Sequence, residues 1–280
     1  MLTPEIAGRL FVVGCPRSGT TLLQSLLAAH PSVLSFPETA VFGRLLKTNI
    51  MPDGSCPTVG LRTQLGYLQA MALLEDLGRL DLQQILPIRS QSIAQFVDGL
   101  VGVFDRLTLD KGKSWWVEKT PENMLYVPEI LELVPGARFV SILRDGRQNV
   151  AALYEMAGKY PDLWWAKFRD LDWAITVWNR AATHTRVLLG MPEALVIRHE
   201  RLLSDTEAVA REVCRFAGLP FSRVMLDCRA EAARTIITAY EPWKADVLRP
   251  IRPGVEDKFE RLFDAQQQAY VEARLERVDL

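Results

Sequence analysis

Residues 14–21 read Gly14-Cys15-Pro16-Arg17-Ser18-Gly19-Thr20-Thr21. They keep the glycine spacing of a phosphate-binding Walker A loop, G-x-x-x-x-G-K-[ST], but carry Thr20 in place of the lysine. In the ordinary loop, backbone N–H groups cradle phosphates, the lysine reaches the β- and γ-phosphates, and the last hydroxyl holds magnesium. Here the cradle remains and the lysine is gone. Leu10-Phe11-Val12-Val13 ahead of the loop is a short buried-strand run, and Leu22, Leu23, Leu26 and Leu27 behind it recur at helical spacing. The loop therefore joins a strand to a helix N-terminus, where an anion belongs. A nucleoside triphosphate would lose its main γ-phosphate contact, whereas Arg17, Thr20 and Thr21 still suit a single 5′-phosphate and whatever group it carries. As a bare GxxxxG spacing, the same stretch would be only a tight turn.

Outward from this loop, three further runs read as buried strands: Ser114-Trp115-Trp116-Val117, Arg138 to Leu143, and Ala194 to Ile197. Helical patterns separate and follow them: Val127 to Val134, Asn149 to Lys159, a Trp-rich stretch from about Trp164 to Leu189, and Thr206 to Ala217. For the last, Ser204-Asp205-Thr206-Glu207 fits a capping box, and Gly218-Leu219-Pro220 marks the end. Such alternation predicts an α/β chain with a parallel sheet covered by helices. Residues 40–113 read as mostly helical, with breaks at Met51-Pro52-Asp53-Gly54 and Leu86-Pro87, and far exceed a normal βα connection. They are expected to be a helical insertion, within one domain spanning 1–280, that helps form a substrate cleft. After Pro253-Gly254, an amphipathic helix through Phe259, Leu262, Phe263 and Tyr270 is expected to pack against the sheet.

The chain has 33 basic and 34 acidic residues among 280, a net charge of −1. That balance points away from a nucleic-acid binder or a polybasic membrane anchor, so an anion site must come from a few placed cations. No basic n-region followed by an apolar stretch opens the sequence, and no later segment has the length to cross a bilayer; the expectation is a soluble cytoplasmic protein. Cys15, Cys56, Cys214 and Cys228 lack C-x-x-C spacing, which fits free thiols in a reducing compartment. Cys15 reads as a small buried residue rather than a reactive thiol.

Cys-Pro-Arg-Ser-Gly-Thr-Thr-Leu-Leu, residues 15–23, resembles the 5′-phosphosulfate loop of sulfotransferases that use 3′-phosphoadenosine 5′-phosphosulfate (PAPS). The resemblance implies a P-loop-like three-layer α/β/α fold around a central parallel sheet. It also implies in-line transfer of a sulfuryl group from PAPS to a hydroxyl or phenol, leaving adenosine 3′,5′-bisphosphate (PAP), with no metal required. Arg17, Ser18, Gly19, Thr20 and Thr21 would then bind the cosubstrate, with Arg17 also serving the chemistry. Two other classes remain open: a P-loop kinase or nucleotidase, against which the missing lysine argues, and a nucleotide-binding protein without turnover.

Further segments enter through the same resemblance. Arg144-Asp145-Gly146-Arg147 follows a strand, where open α/β sheets bind ligands. Asp145 and Arg147 read as a solvated turn with a helix cap, while Arg144 matches the family's 3′-phosphate arginine, a role that suits a guanidinium fork. The family places a serine eight residues on, and this chain has Ala152 there; either a neighbour such as Asn149 substitutes, or discrimination for the 3′-phosphate is weaker. Glu118-Lys119-Thr120-Pro121-Glu122-Asn123 reads by itself as a surface lysine paired with Glu118. Its likeness to the family's Glu-Lys-Thr-Pro string implies that Lys119 contacts the bridging region and neutralises charge on the leaving phosphate. Glu38, after Phe36-Pro37, reads equally as a helix N-cap or a site carboxylate; tyrosylprotein sulfotransferases place their catalytic base at this distance from the loop. His30 reads as structural, and His199, in Arg198-His199-Glu200-Arg201-Leu202, as architectural. Tyr240-Glu241-Pro242-Trp243-Lys244 bears a faint likeness to the segment that closes over the nucleotide. Trp164, Trp165 and Phe168 read as core more readily than as an acceptor cleft. The acceptor class is a small-molecule, lipid, glycan or peptide hydroxyl, and the absence of a leader sequence favours a metabolite, lipid, glycan or natural-product hydroxyl.

Overall fold

A computed structural model describes residues 5–47, 58–88, 90–238, 240–252 and 257–279. Its centre is a five-stranded parallel sheet of β1 (Gly8–Gly14), β2 (Val33–Ser35), β3 (Trp115–Glu118), β4 (Ala137–Leu143) and β5 (Ala194–Arg198), in the order β2-β3-β1-β4-β5. Helices follow in chain order as α1 (Thr20–Ala28), α2 (Val41–Leu46), α3 (Val59–Asp76), α4 (Ile93–Asp110), α5 (Val127–Leu133), α6 (Gly146–Lys159) and α7 (Leu171–Leu188). The remainder are α8 (His199–Ser204), α9 (Thr206–Ala217), α10 (Val224–Asp227), α11 (Arg229–Ile236), α12 (Lys258–Leu262) and α13 (Ala265–Glu272).

The period of two along β1 divides the core into two layers. Leu10 and Val12 pack with Leu23, Leu26 and Leu27 of α1 and with Val209 and Val213 of α9. Phe11 and Val13 join the opposite cluster, with Phe104 of α4, Val150 of α6 and Trp178 of α7. Each fully buried side chain of this size contributes about 1.5–3 kcal/mol relative to exposure. Trp116 carries the second layer: its ring lies edge-on to Phe11 and Phe104 at 5.4 and 5.3 Å. Its indole N–H donates to Asp105 Oδ1 at 2.7 Å, and Asp105 Oδ2 accepts from Arg9 Nη2 at 2.6 Å. One carboxylate thus fixes α4 against both β1 and β3, while Phe42 of α2 meets the Phe11 ring of β1 edge-on at 5.4 Å.

The three-layer α/β/α architecture is as the sequence predicts, with local differences. β2 is unforeseen, because three residues are too few to show a period. α6 starts at Gly146 rather than Asn149, since Asp145 Oδ1 accepts from Gln148 N at 3.1 Å and caps the helix three residues earlier. Trp164–Arg169 is a separate 3-10 turn, and α7 begins after Asp170, whose side chain accepts from Asp172 N. Asp205, not Ser204, caps α9 through Ala208 N at 3.2 Å, and Gly218 closes that helix at φ 82°. The C-terminal amphipathic pattern breaks at Phe263 into α12 and α13, and Phe263 meets Tyr154 of α6 rather than a strand. The expected break at 51–54, Cys56 and Pro253-Gly254 lie outside the described residues.

Gly14 ends β1 at φ 151°, and a Cβ there would lie 2.6 Å from Ile142 O and 2.9 Å from Ser18 Oγ. The Ile142 carbonyl is backbone and cannot swing aside. Gly14→Ala is expected to cost about 1–3 kcal/mol, read as a lower denaturant midpoint at unchanged slope.

Candidate active site

All five strands deliver site residues from their C-terminal ends. From one edge of the sheet to the other these are Glu38 after β2, Lys119 after β3, the 14–19 loop after β1, Arg144 after β4 and His199 after β5. This is the crevice in which open α/β sheets place ligands. The loop turns through Ser18 N donating to Cys15 O at 3.1 Å, with Arg17 at φ 69° and Gly19 at φ 102°. No side chain caps α1, so its first-turn N–H groups face the crevice. Burial pushes the Cys15 thiol up, out of reach of ionisation near neutrality.

Glu38 and Lys119 are in direct contact. Lys119 is buried rather than superficial, and its ammonium donates to Glu38 Oε2 instead of pairing with Glu118. The same oxygen accepts from Lys244 Nζ at 2.9 Å, and Lys244 also pairs with Glu241. Burial alone would raise the Glu38 carboxyl, but the Lys119 and Lys244 ammoniums overcome it and hold the group down to about 2. Burial lowers Lys119, while Glu38 opposes that fall. Gln24 braces the loop before Glu38, donating to Phe36 O at 2.8 Å and Ser35 Oγ at 3.1 Å.

On the other side of the loop lies a cavity of about 270 Å³ lined by Arg17, Gly19, Thr20, Arg144, His199 and the 243–252 segment. Arg144 Nη1 donates to Arg17 O at 3.0 Å, and Arg17 Nη1 donates to Trp243 O at 3.1 Å. The Nε of each guanidinium, Ser18 Oγ and His199 Nδ1 are buried with no protein partner. Burial lowers Arg144 to about 10, with Arg17 adding to the fall. Burial, then Arg144 and Arg17, bring His199 down to about 3, so its ring is neutral near pH 7. His199 packs on Gly19 so closely that a Cβ there would collide with the imidazole. These unsatisfied donors, gathered at a helix N-terminus, fit a nucleotide phosphate. Asn149 is committed elsewhere, its Nδ2 donating to Pro16 O at 3.3 Å, and Ala152 is buried in α6.

Beyond the Glu38–Lys119 contact, a cavity of about 390 Å³ shares Pro16, Ala40, Arg44, Glu122 and Trp164 with a wider one of about 520 Å³. The wider one is lined by Arg44, Lys47, Lys167 and Arg180 against Glu122, with Trp164 and Trp173. Phe168 is core, whereas Trp164, 47% exposed, and the buried Trp165 both line the cavity beside Glu38 and Lys119. Sequence reasoning passed over His199, whose signal was its place directly after a strand. It gave Lys244 little weight, because nothing local relates that residue to Glu38. Among the described residues no cluster of three or more His, Cys, Asp or Glu is positioned to hold a metal, and no helix is long and apolar enough to cross a membrane.

A family model described as the sulfotransferase family matches residues 9–223. Protein-tyrosine sulfotransferase 1 of Danio rerio is 24% identical over 247 residues, covering 86% of this chain; the chain spans 62% of that relative's length. The sulfotransferase domain of the Synechococcus PCC 7002 olefin synthase superposes with a TM-score of 0.56 at 19% identity, covering 100% of this chain and 98% of that domain. A mouse sulfotransferase complexed with PAP gives 0.50 at 14% identity, covering 98% and 82%. At these identities the two structures speak for the fold.

The buried His199 sets an expectation for stability against pH. Its folded-state value lies below the ordinary 6.5. The unfolded chain therefore takes up a proton that the buried ring refuses, and stability present above pH 6.5 is lost as pH falls toward 3. His199→Gln should flatten that decline relative to the parent, as read by thermal melting across this window without nucleotide.

Proposed function

The chain belongs to the sulfotransferase family, and on that premise we propose that it transfers the sulfuryl group of PAPS to an acceptor hydroxyl, with Glu38 as general base. The observation that carries this reading is the direct contact of Glu38 with Lys119 beside a phosphate loop that has Thr20 where a lysine would serve a nucleoside triphosphate. The unpartnered donors of Arg17, Ser18, Arg144 and His199 supply the groups that would hold the two phosphate ends of PAPS. That a mouse protein of the same fold was solved with PAP supports the choice of nucleotide.

In the transfer, the bond between sulfur and the bridging oxygen breaks and a sulfate ester bond forms to the acceptor oxygen. The hydroxyl proton goes to Glu38, and PAP leaves with the bridging oxygen. Lys119 neutralises charge growing on that oxygen, an interaction stronger in the transition state than before it. A carboxylate held down to about 2 is a weak base. The two ammoniums that depress it are also the groups suited to an incoming phosphosulfate. As Lys119 and Lys244 turn to that anion, Glu38 regains proton affinity. The base is thus armed by cosubstrate binding.

The wide cleft favours acceptors with a negative group, since Arg44, Lys47, Lys167 and Arg180 face Glu122 across it. The Lys167 ammonium also lies 5.2 Å from the Trp164 ring and 5.3 Å from that of Trp173, so aromatic surface and positive charge coincide.

Three measurements test this. PAP at a hundredfold excess over its dissociation constant should stabilise the fold by about 2.7 kcal/mol, with ATP and magnesium doing far less; equal thermal shifts would favour a kinase or nucleotidase. Glu38→Gln keeps the shape and loses the basicity, so transfer should fall by about 10²–10⁴-fold while PAP affinity holds. Full activity on a true acceptor would mean that the base lies elsewhere. Arg180→Ala should raise KM for 3-(4-hydroxyphenyl)propionate about two- to fivefold, the range of one exposed charge pair, and leave 4-propylphenol unchanged. A common shift for both phenols would remove the charge preference.

A further inference from the structure

Glu118, the last residue of β3, has no exposed surface, and its carboxylate is surrounded by donors. Oε1 accepts from Thr39 Oγ1 at 2.7 Å, from Thr39 N at 3.4 Å and from Thr120 Oγ1 at 2.6 Å. Oε2 accepts from Asn123 Nδ2 at 2.7 Å. Thr120 Oγ1 also accepts from Ala40 N at 3.1 Å and Thr39 Oγ1 from Val41 N at 3.4 Å, which leaves the proton of each hydroxyl to be donated to Glu118. Burial raises the Glu118 carboxyl, and the Thr120 and Thr39 hydroxyls oppose that rise; four donors converging on one carboxyl are the complement of its ionised form.

These bonds join two segments that are distant in sequence. Thr39 adjoins Glu38, and Thr120 adjoins Lys119. Ala40, held in the left-handed region at φ 51°, is fixed there through Thr120 Oγ1. None of the hydrogen bonds to Glu118 comes from the phosphate loop. We propose that Glu118 is a positioning residue for sulfuryl transfer: its buried carboxylate, through Thr39 and Thr120, sets the contact between Glu38 and Lys119 without touching cosubstrate or acceptor. The inference rests on the reading of that pair as the reacting groups. A helix-capping or purely architectural glutamate would not tie both chemical side chains to a single acceptor.

The test uses the full chain with ¹³Cδ-labelled glutamate, Glu38 being assigned by loss of its signal in Glu38→Gln. Three variants are compared: Glu118→Gln, which places an amide among donors; Thr120→Val, which removes one hydroxyl; and Thr120→Ser, which keeps it. For each, the Glu38 carboxyl titration, PAP affinity and PAP-dependent release of p-nitrophenol from p-nitrophenyl sulfate are measured. In the last assay the sulfuryl group passes from the phenol oxygen to PAP. In the parent, Glu38 should stay ionised to about pH 2. In Glu118→Gln and Thr120→Val its midpoint should rise by about one unit or more toward the ordinary carboxylate range, and transfer should fall roughly tenfold or more, about one factor of ten per 1.4 kcal/mol of lost positioning. PAP affinity should remain near the parent's, and Thr120→Ser should behave as the parent does. If Glu118→Gln does not fold, the threonine pair carries the comparison. The proposal is overturned if the folded variants leave both midpoint and rate unmoved, or if PAP affinity falls in step with transfer and Thr120→Ser does no better than Thr120→Val. A parent that releases no p-nitrophenol while the midpoints still shift would overturn the transferase reading, and with it the role in transfer, while showing that Glu118 still sets the contact between Glu38 and Lys119.

Discussion

One carboxylate oxygen, Glu38 Oε2, holds two lysines. Lys119 and Lys244 lie 81 and 206 residues further along the chain, and each ammonium is almost wholly removed from water. An ammonium buried alone would shed its proton, and a carboxylate between two apolar walls would take one up. Together they keep their charges, because each supplies the counter-charge the others need. Breaking such a group by removing one member is far costlier than the net worth of the intact cluster, since it strands the rest. The surrounding structure shares that constraint: Gln24 braces the loop bearing Glu38, β3 fixes Lys119, and Glu241 takes the remaining charge of Lys244.

The sheet makes the cluster possible through topology rather than through any single contact. Because all five strands run the same way, their C-terminal ends share one edge, and residues far apart in sequence become neighbours in strand order. Arg17, Arg144 and His199 fall around β1, β4 and β5, whereas Glu38 and Lys119 fall after β2 and β3. The phosphate loop after β1 lies between the two sets. Such a layout allows a ligand held on one side to present a reacting group to the other, and it explains why the loop needs no lysine of its own. Positive charge reaches the loop from Lys119, Arg144 and Lys244 instead.

Much of this was legible in the sequence, for identifiable reasons. The loop, the strands β1, β3, β4 and β5, and helices α5 and α9 carry dense apolar periods or glycine punctuation, which are local signals. Arg144 and Lys119 stand directly after readable strands. β2 was not legible, since three residues have no period, and its pairing with β3 is decided by Lys113 and the Ser32 carbonyl rather than by its own side chains. The Asp145 cap of α6 was legible, and only the apolar period, read alone, placed that helix's start later, at Asn149. Lys244 was seen only as part of a faint segment, because its meaning lies in Glu38, and no local rule links the two positions. His199 was read as architectural from its motif, although its neutral ring is set by burial and then by two arginines, surroundings that only folding brings near.

The bond from Arg17 to the Trp243 carbonyl bears on how the protein comes into being. The family model's match ends at residue 223, yet one wall of the cavity beside the 14–21 loop and the second counter-ion of Glu38 are supplied by residues 243–252. On the ribosome, the sheet and its phosphate loop can assemble while those residues are still unmade, with Glu38 paired only to Lys119. The charge balance at Glu38 is complete only once those residues join it. A product cut short after α11 would keep the sheet and the 14–21 loop while lacking Lys244, the second counter-charge of Glu38.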